Sequence, residues 1–210
     1  MTIDALSLLQ DGPVMPVIVL SDPGLAPELG RALVDGGIRV LEVTLRTKGA
    51  LAAITRLREE VPDAIVGAGT VRTRAQWEAA LEAGAQFGVS PGLTGELAAA
   101  ARSSNVPFIP GVATPSEAMR AADEGFLIQK LFPAEAVGGV KLLKSLAGPL
   151  SELRYCPTGG INEKNAVDYL ALPNVLAVGG SWLTPDDAIA ARDWARITEL
   201  ARGARALRER

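Results

Sequence analysis

A length of 210 residues suits a single domain with a substantial core, spanning 1–210, because α/β barrels often run as one unit at this size. The formal charge of −3 and the lack of an extended basic run argue against nucleic acid or an anionic membrane as partner, so any anionic ligand must be held by a local site. No histidine occurs, which removes the commonest general base and the most usual ligand of catalytic zinc; acid–base chemistry must come from carboxylates, lysine, tyrosine or water.

The chain opens on a short amphipathic turn at 3–9, expected to cap the bottom of the fold. Eight short β-branched runs follow, at 14–20, 40–46, 65–70, 87–90, 108–110, 126–132, 154–157 and 175–178. Between and after them lie Ala/Leu-rich helix candidates at 26–35, 50–60, 73–82, 94–102, 116–124, 139–146, 163–170 and 186–207. Thr73, Thr94, Thr114 and Asn162 stand where an N-cap accepts backbone donors, and Pro115 suits a first helical position. Eight βα units predict a parallel sheet closed as a (β/α)8 TIM barrel. A doubly wound sheet is less compatible, because the loop Ser21-Asp22-Pro23-Gly24 after the first strand carries no GxGxxG pattern. Neither a signal-peptide pattern nor an apolar run of about 18 residues is present, and the lone Cys156 cannot form an internal disulfide; the expectation is a cytoplasmic protein.

In a barrel the reactive groups sit at the C-terminal ends of strands, and alternation along a strand assigns faces. In 40–46, Leu41, Val43 and Leu45 share the helix-facing side, while Glu42, Thr44 and Arg46 face inward. In 126–132, Lys130 points inward with Ile128 and Phe132. Among apolar neighbours a charged ammonium is costly, so a neutral, nucleophilic amine suited to imine formation becomes accessible, and an inward glutamate could move protons for it. The plainer alternative is a buried Lys–Glu ion pair that plugs the interior, with Arg46 a solvated strand-end charge.

Glycine pairs follow three late strands, at Gly138-Gly139, Gly159-Gly160 and Gly179-Gly180. After strands seven and eight they suit a phosphate held by backbone N–H groups, although glycines can equally serve tight turns. Gly67-Ala68-Gly69-Thr70 leaves room for a ligand or for close packing, and Ser90-Pro91-Gly92 shapes a pocket wall or a plain turn. Cys156 reads as a core residue, and Trp77, Trp182 and Trp194 are too scattered for a stacking platform.

The ordered blocks LEVTLRT (41–47), GAGTV (67–71), VSPGLT (89–94), IPGVATPSE (109–117), KLFPAEAVGG (130–139), CPTGGI (156–161) and VGGSWL (178–183) closely resemble the 2-keto-3-deoxy-6-phosphogluconate (KDPG) aldolases, often also 4-hydroxy-2-oxoglutarate aldolases. The resemblance covers almost the whole chain. It implies a class I aldolase on a (β/α)8 barrel, usually a homotrimer, that takes a phosphorylated keto acid and pyruvate and uses no metal or cofactor beyond a covalent imine. By the same resemblance Lys130 forms the imine, Glu42 is the general acid/base and Arg46 binds the pyruvate carboxylate. Thr70, Pro91 and Phe132 line the pyruvate end with Thr158 nearby, and Gly159, Gly160, Gly180 and Ser181 form the phosphate end. Three rivals stay open: an aldolase for the galactonate epimer or another keto acid, a phosphate-binding barrel epimerase or synthase, and a catalytically silent binding barrel. Imine trapping separates the last two from the aldolase.

Overall fold

The structure is a computed structural model that describes residues 4–208. Helix α1 (Ala5–Gln10) opens the chain, its end closed by a capping box between Asp4 and Ser7. Position 3 of the expected N-terminal turn lies outside the described residues. The strands and helices then alternate: β1 (Val14–Ile18), α2 (Ala26–Asp35), β2 (Val40–Thr44), α3 (Ala50–Glu60), β3 (Ile65–Gly69), α4 (Arg74–Glu82), β4 (Gly88–Val89) and α5 (Gly95–Ser103). The second half runs β5 (Phe108–Ile109), β6 (Gly111–Val112), α6 (Pro115–Asp123), β7 (Ile128–Leu131), α7 (Gly139–Leu146), β8 (Arg154–Tyr155), α8 (Glu163–Leu170), β9 (Val178–Gly180), α9 (Asp186–Ala190) and α10 (Trp194–Arg205).

All described strand pairs are parallel, in the orders β5-β4-β3-β2-β1-β9 and β6-β7-β8, so the architecture is an α/β fold around a curled parallel sheet. The fifth run, expected as one strand at 108–110, is instead two strands split at Pro110, which has no N–H to give to a ladder. Its carbonyl nevertheless accepts from the Lys130 N–H at 2.8 Å, so this broken strand serves both sheets. Isolated parallel bridges, Tyr155 to Val175 and Thr158 to Gly179, connect the β8 region to the β9 region. The last strand is regular over 178–180 rather than 175–178, because only there does it pair continuously with β1.

Side-chain caps explain several helix starts. Thr73, Thr94, Thr114 and Asn162 each accept from the backbone one turn on, and Pro115 occupies the first turn of α6. The expected helix over 186–207 is two helices: Arg192 takes a left-handed φ of 53°, and Asp193 then caps α10 by accepting from the Arg196 N–H. One apolar cluster, holding Leu41, Val43, Leu57, Val66 and Trp77, joins the sheet to the helices. Trp77 is a packing residue there, edge-on to Phe108 at 5.2 Å between ring centres. A second cluster inside the curl holds Met15, Val40, Phe87, Val89, Ile109 and Cys156, with Leu8 and Leu9 of α1 packed on it. Val40 belongs to this cluster and Ile128 packs against it, each two residues before the buried Glu42 and Lys130 of the same strand, so the polar pair lies one layer further along.

Candidate active site

Alternation along β2 sends Leu41 and Val43 to the helices and places Glu42, fully buried, on the opposite face. Five strands on in sequence, β7 carries Lys130, 4% exposed, so that Nζ lies 3.3 Å from Glu42 Oε1. Two groups 88 residues apart thus meet inside the curl. Phe132, two positions on and on the same face, lies with its ring centre 5.4 Å from Nζ, within range of a cation–π contact. Glu42 Oε2 is buried without a hydrogen-bond partner in the protein, a cost of about 1–3 kcal/mol unless a proton or a substrate satisfies it. Gly69 explains how a carboxyl fits in this spot: a Cβ there would overlap the Glu42 side chain. Within GAGT, Gly69 leaves room for Glu42 and Gly67 for the Phe87 ring.

The pair lies beside a cavity of about 580 Å3 at the carboxyl ends of the strands. Lys130, Arg46, Thr70, Pro91, Phe132, Thr158, Gly159, Gly160, Gly180 and Ser181 all line it, and Glu42 stands behind Lys130. The residues that the resemblance assigns to the site are therefore brought to one place, whereas the flagged pair Gly138-Gly139 does not line this cavity. On the cavity wall Arg46 Nε donates to Thr70 Oγ1 at 3.1 Å, leaving the terminal guanidinium nitrogens for a ligand. Thr70 adopts φ 58°, a left-handed conformation unfavourable for a β-branched residue, and such strain costs on the order of 1–3 kcal/mol and gathers at functional sites.

In the turn after β8 the Thr158, Gly159 and Gly160 carbonyls accept from Ala134 N (2.8 Å), Glu135 N (3.1 Å) and Asn165 Nδ2 (3.1 Å). A trans peptide holds its N–H opposite its carbonyl, so the N–H groups of Gly159, Gly160 and Ile161 face the other way, and all three residues line the cavity. Left-handed φ values of 103° and 79° at Gly159 and Gly160 make this turn possible, and successive N–H groups so arranged form an anion cradle. Val17, Val19, Ile161, Gly179 and Asp186 also line the cavity and were not among the expected site residues. Alternation in the first strand could have flagged Val17 and Val19, and Gly179 is the partner of a glycine already flagged; Asp186 carries no sequence signal.

Cys156 is fully buried in the layer below, and burial pushes its thiol up to about 12, with Glu42 adding to the rise and Lys130 opposing it. Among the described residues no group of three or more Cys, Asp or Glu side chains could hold a metal ion, and no helix is long and apolar enough to cross a membrane.

A buried amine in reach of a buried carboxyl, carried on this α/β frame, is the equipment that a lysine Schiff-base enzyme requires. Residues 5–200 match the aldolase family described as KDPG and KHG aldolase, and the chain belongs to that family of carbon–carbon lyases. It is 56% identical over 198 residues to the KHG/KDPG aldolase of Escherichia coli (strain K12), covering 94% of this chain and 93% of that one. The structure resembles the KDPG aldolase of Legionella pneumophila, solved with pyruvate captured at low pH as a covalent carbinolamine: TM-score 0.95, 45% identity, 98% of this chain and 100% of that chain. It also resembles the 2-keto-3-deoxy-6-phosphogluconate aldolase of Zymomonas mobilis ZM4 solved with 3-phosphoglycerate: TM-score 0.91, 46% identity, 96% and 94% of the two chains.

Proposed function

We propose that the chain is a class I aldolase that cleaves 2-dehydro-3-deoxy-6-phosphogluconate into pyruvate and glyceraldehyde 3-phosphate. The observation that carries this reading is the buried Lys130 Nζ, 3.3 Å from Glu42 and open to a cavity that Arg46 and the Gly159–Gly160 turn also line. A substrate with both a carboxylate and a phosphate suits a guanidinium and a cradle of backbone amides.

Neutral Lys130 attacks the C2 carbonyl, and Glu42 moves protons through carbinolamine formation and loss of water. The protonated imine is the electron sink. Glu42, directly or through water, takes the C4 hydroxyl proton; the C3–C4 bond breaks, its electrons pass to the imine nitrogen, and the triose aldehyde leaves. Protonation of the enamine at C3 and hydrolysis of the imine release pyruvate and restore Lys130. Arg46 holds the substrate carboxylate by paired hydrogen bonds, which sets C2 near Nζ, with Thr70, Pro91, Phe132 and Thr158 shaping that end. Gly159, Gly160, Gly180 and Ser181 receive the phosphate.

In this reading the two runs of paired strands close through the Pro110 break and the isolated bridges into a (β/α)8 barrel, with α1 as its bottom plug. The chemistry needs no metal and no cofactor beyond the imine. The same site also suits cleavage of 4-hydroxy-2-oxoglutarate to pyruvate and glyoxylate, and the family resemblance supports a cytoplasmic homotrimer. Treatment with pyruvate and sodium borohydride, followed by peptide mapping, tests the core of the proposal. A reduced adduct on Lys130 is expected; a folded, pyruvate-saturated protein with no adduct refutes the lysine mechanism. Comparing turnover of the gluconate and galactonate epimers then decides the substrate.

A further inference from the structure

Behind the amide cradle, Glu135 holds the Gly159–Gly160 turn in two ways. Its backbone N–H donates to the Gly159 carbonyl at 3.1 Å, and its side-chain stem lies so close under Gly160 that a Cβ there would come within 2.6 Å of Glu135 Cγ. The head of that side chain is held in turn by Tyr169, whose hydroxyl donates to Glu135 Oε1. Tyr169 belongs to α8 and is 1% exposed. Burial, and then the contact with Glu135, raise its hydroxyl above the ordinary tyrosine range, so it remains a donor at any working pH. Gly139 makes room for this hydroxyl, since a Cβ there would stand 2.5 Å from it. The same helix sends Asn165 Nδ2 to the Gly160 carbonyl at 3.1 Å. One rigid helix thus reaches the cradle both directly and through Glu135, from the side away from the cavity.

We propose that Tyr169, acting through Glu135, is a positioning residue that aims the Gly159–Gly160 amides at the substrate's phosphate and thereby sets the preference for phosphorylated over unphosphorylated keto acids. The inference rests on the phosphorylated-substrate reading above. Neither side chain is among the residues that line the catalytic cavity, so their effect falls on the phosphate end and not on imine chemistry.

The test compares wild type, Tyr169→Phe, Glu135→Ala and Glu135→Gln in three assays: steady-state turnover of the phosphorylated substrate, competitive inhibition by inorganic phosphate, and deuterium exchange into the pyruvate methyl group, which needs Lys130 but no phosphate. Losing one hydrogen bond is expected to raise KM and the phosphate inhibition constant of Tyr169→Phe by roughly three- to tenfold, with kcat and pyruvate exchange unchanged. Glu135→Ala should behave likewise, while Glu135→Gln, which keeps an acceptor for the hydroxyl, should stay near wild type. Unchanged KM and phosphate inhibition in Tyr169→Phe, or an equal loss of pyruvate exchange, overturns the proposal and leaves only a packing role. If wild type itself neither turns over the phosphorylated acid nor is inhibited by phosphate, the substrate reading fails first and takes this inference with it.

Discussion

Gly69→Ala probes the geometry of the proposed site without replacing a reacting group. A Cβ at this position would stand 2.2 Å from Glu42 Oε1 and 2.7 Å from its carboxyl carbon, where ordinary contact begins at 3.4 Å, so the carboxyl must retreat by about 0.7–1.2 Å. Glu42 is fully enclosed, and its Oε1 is already 3.3 Å from Lys130 Nζ, near the outer limit of a hydrogen bond, so a shift of that size breaks the contact. Displacements of about 1 Å in a catalytic group cost on the order of 100-fold in rate, whereas overpacking costs about 1–3 kcal/mol of stability. At this chain length that lowers Tm by only about 2–4 °C per kcal/mol, so the variant should stay folded. Coupled assay of pyruvate release should show kcat reduced about 100-fold, with a modest Tm loss by thermal denaturation and borohydride trapping on Lys130 still possible. A kcat within about twofold of wild type would show that Glu42 tolerates the displacement or is not the proton carrier.

Lys130→Ala should lose turnover and the borohydride adduct together while circular dichroism remains native; residual activity with a fold intact would refute the imine assignment. Arg46→Lys keeps the charge but loses the planar paired donors, so KM for the keto acid should rise about tenfold or more, read from initial rates, with a smaller change in kcat. Cys156 should resist iodoacetamide in the native protein at pH 8 and react quantitatively in urea, because its buried thiol is pushed up to about 12. Above pH 9 the unfolded thiol, ordinarily near 9.0, ionises while the folded one keeps its proton up to about 12; Tyr155, raised by burial and then by Glu152 from 10.0 to about 12, behaves the same way. Both groups favour the protonated form when folded, so their stabilisation is complete below pH 9 and declines as pH rises, which denaturant titrations from pH 8 to 11 would detect.

Local rules in the sequence determined most elements and the facing of the site. Alternation in LEVTLRT separates Glu42 from Leu41 and Val43 because successive strand side chains point to opposite faces, and the threonine and asparagine caps mark helix starts because their side chains satisfy free N–H groups one turn on. The Gly159-Gly160 pair marked the turn that lines the cavity because a left-handed turn is cheap only for glycine. Tertiary structure alone decided what depends on distant segments meeting. The 3.3 Å approach of Lys130 to Glu42, the space Gly69 leaves for that carboxyl, the division of one expected strand at Pro110 and the hold of Tyr169 on Glu135 all arise from how the sheet curls and where the helices dock. Periodicity assigns a residue to a face but carries no distance across the interior; that distance is set by strand pairing and core packing over the whole chain.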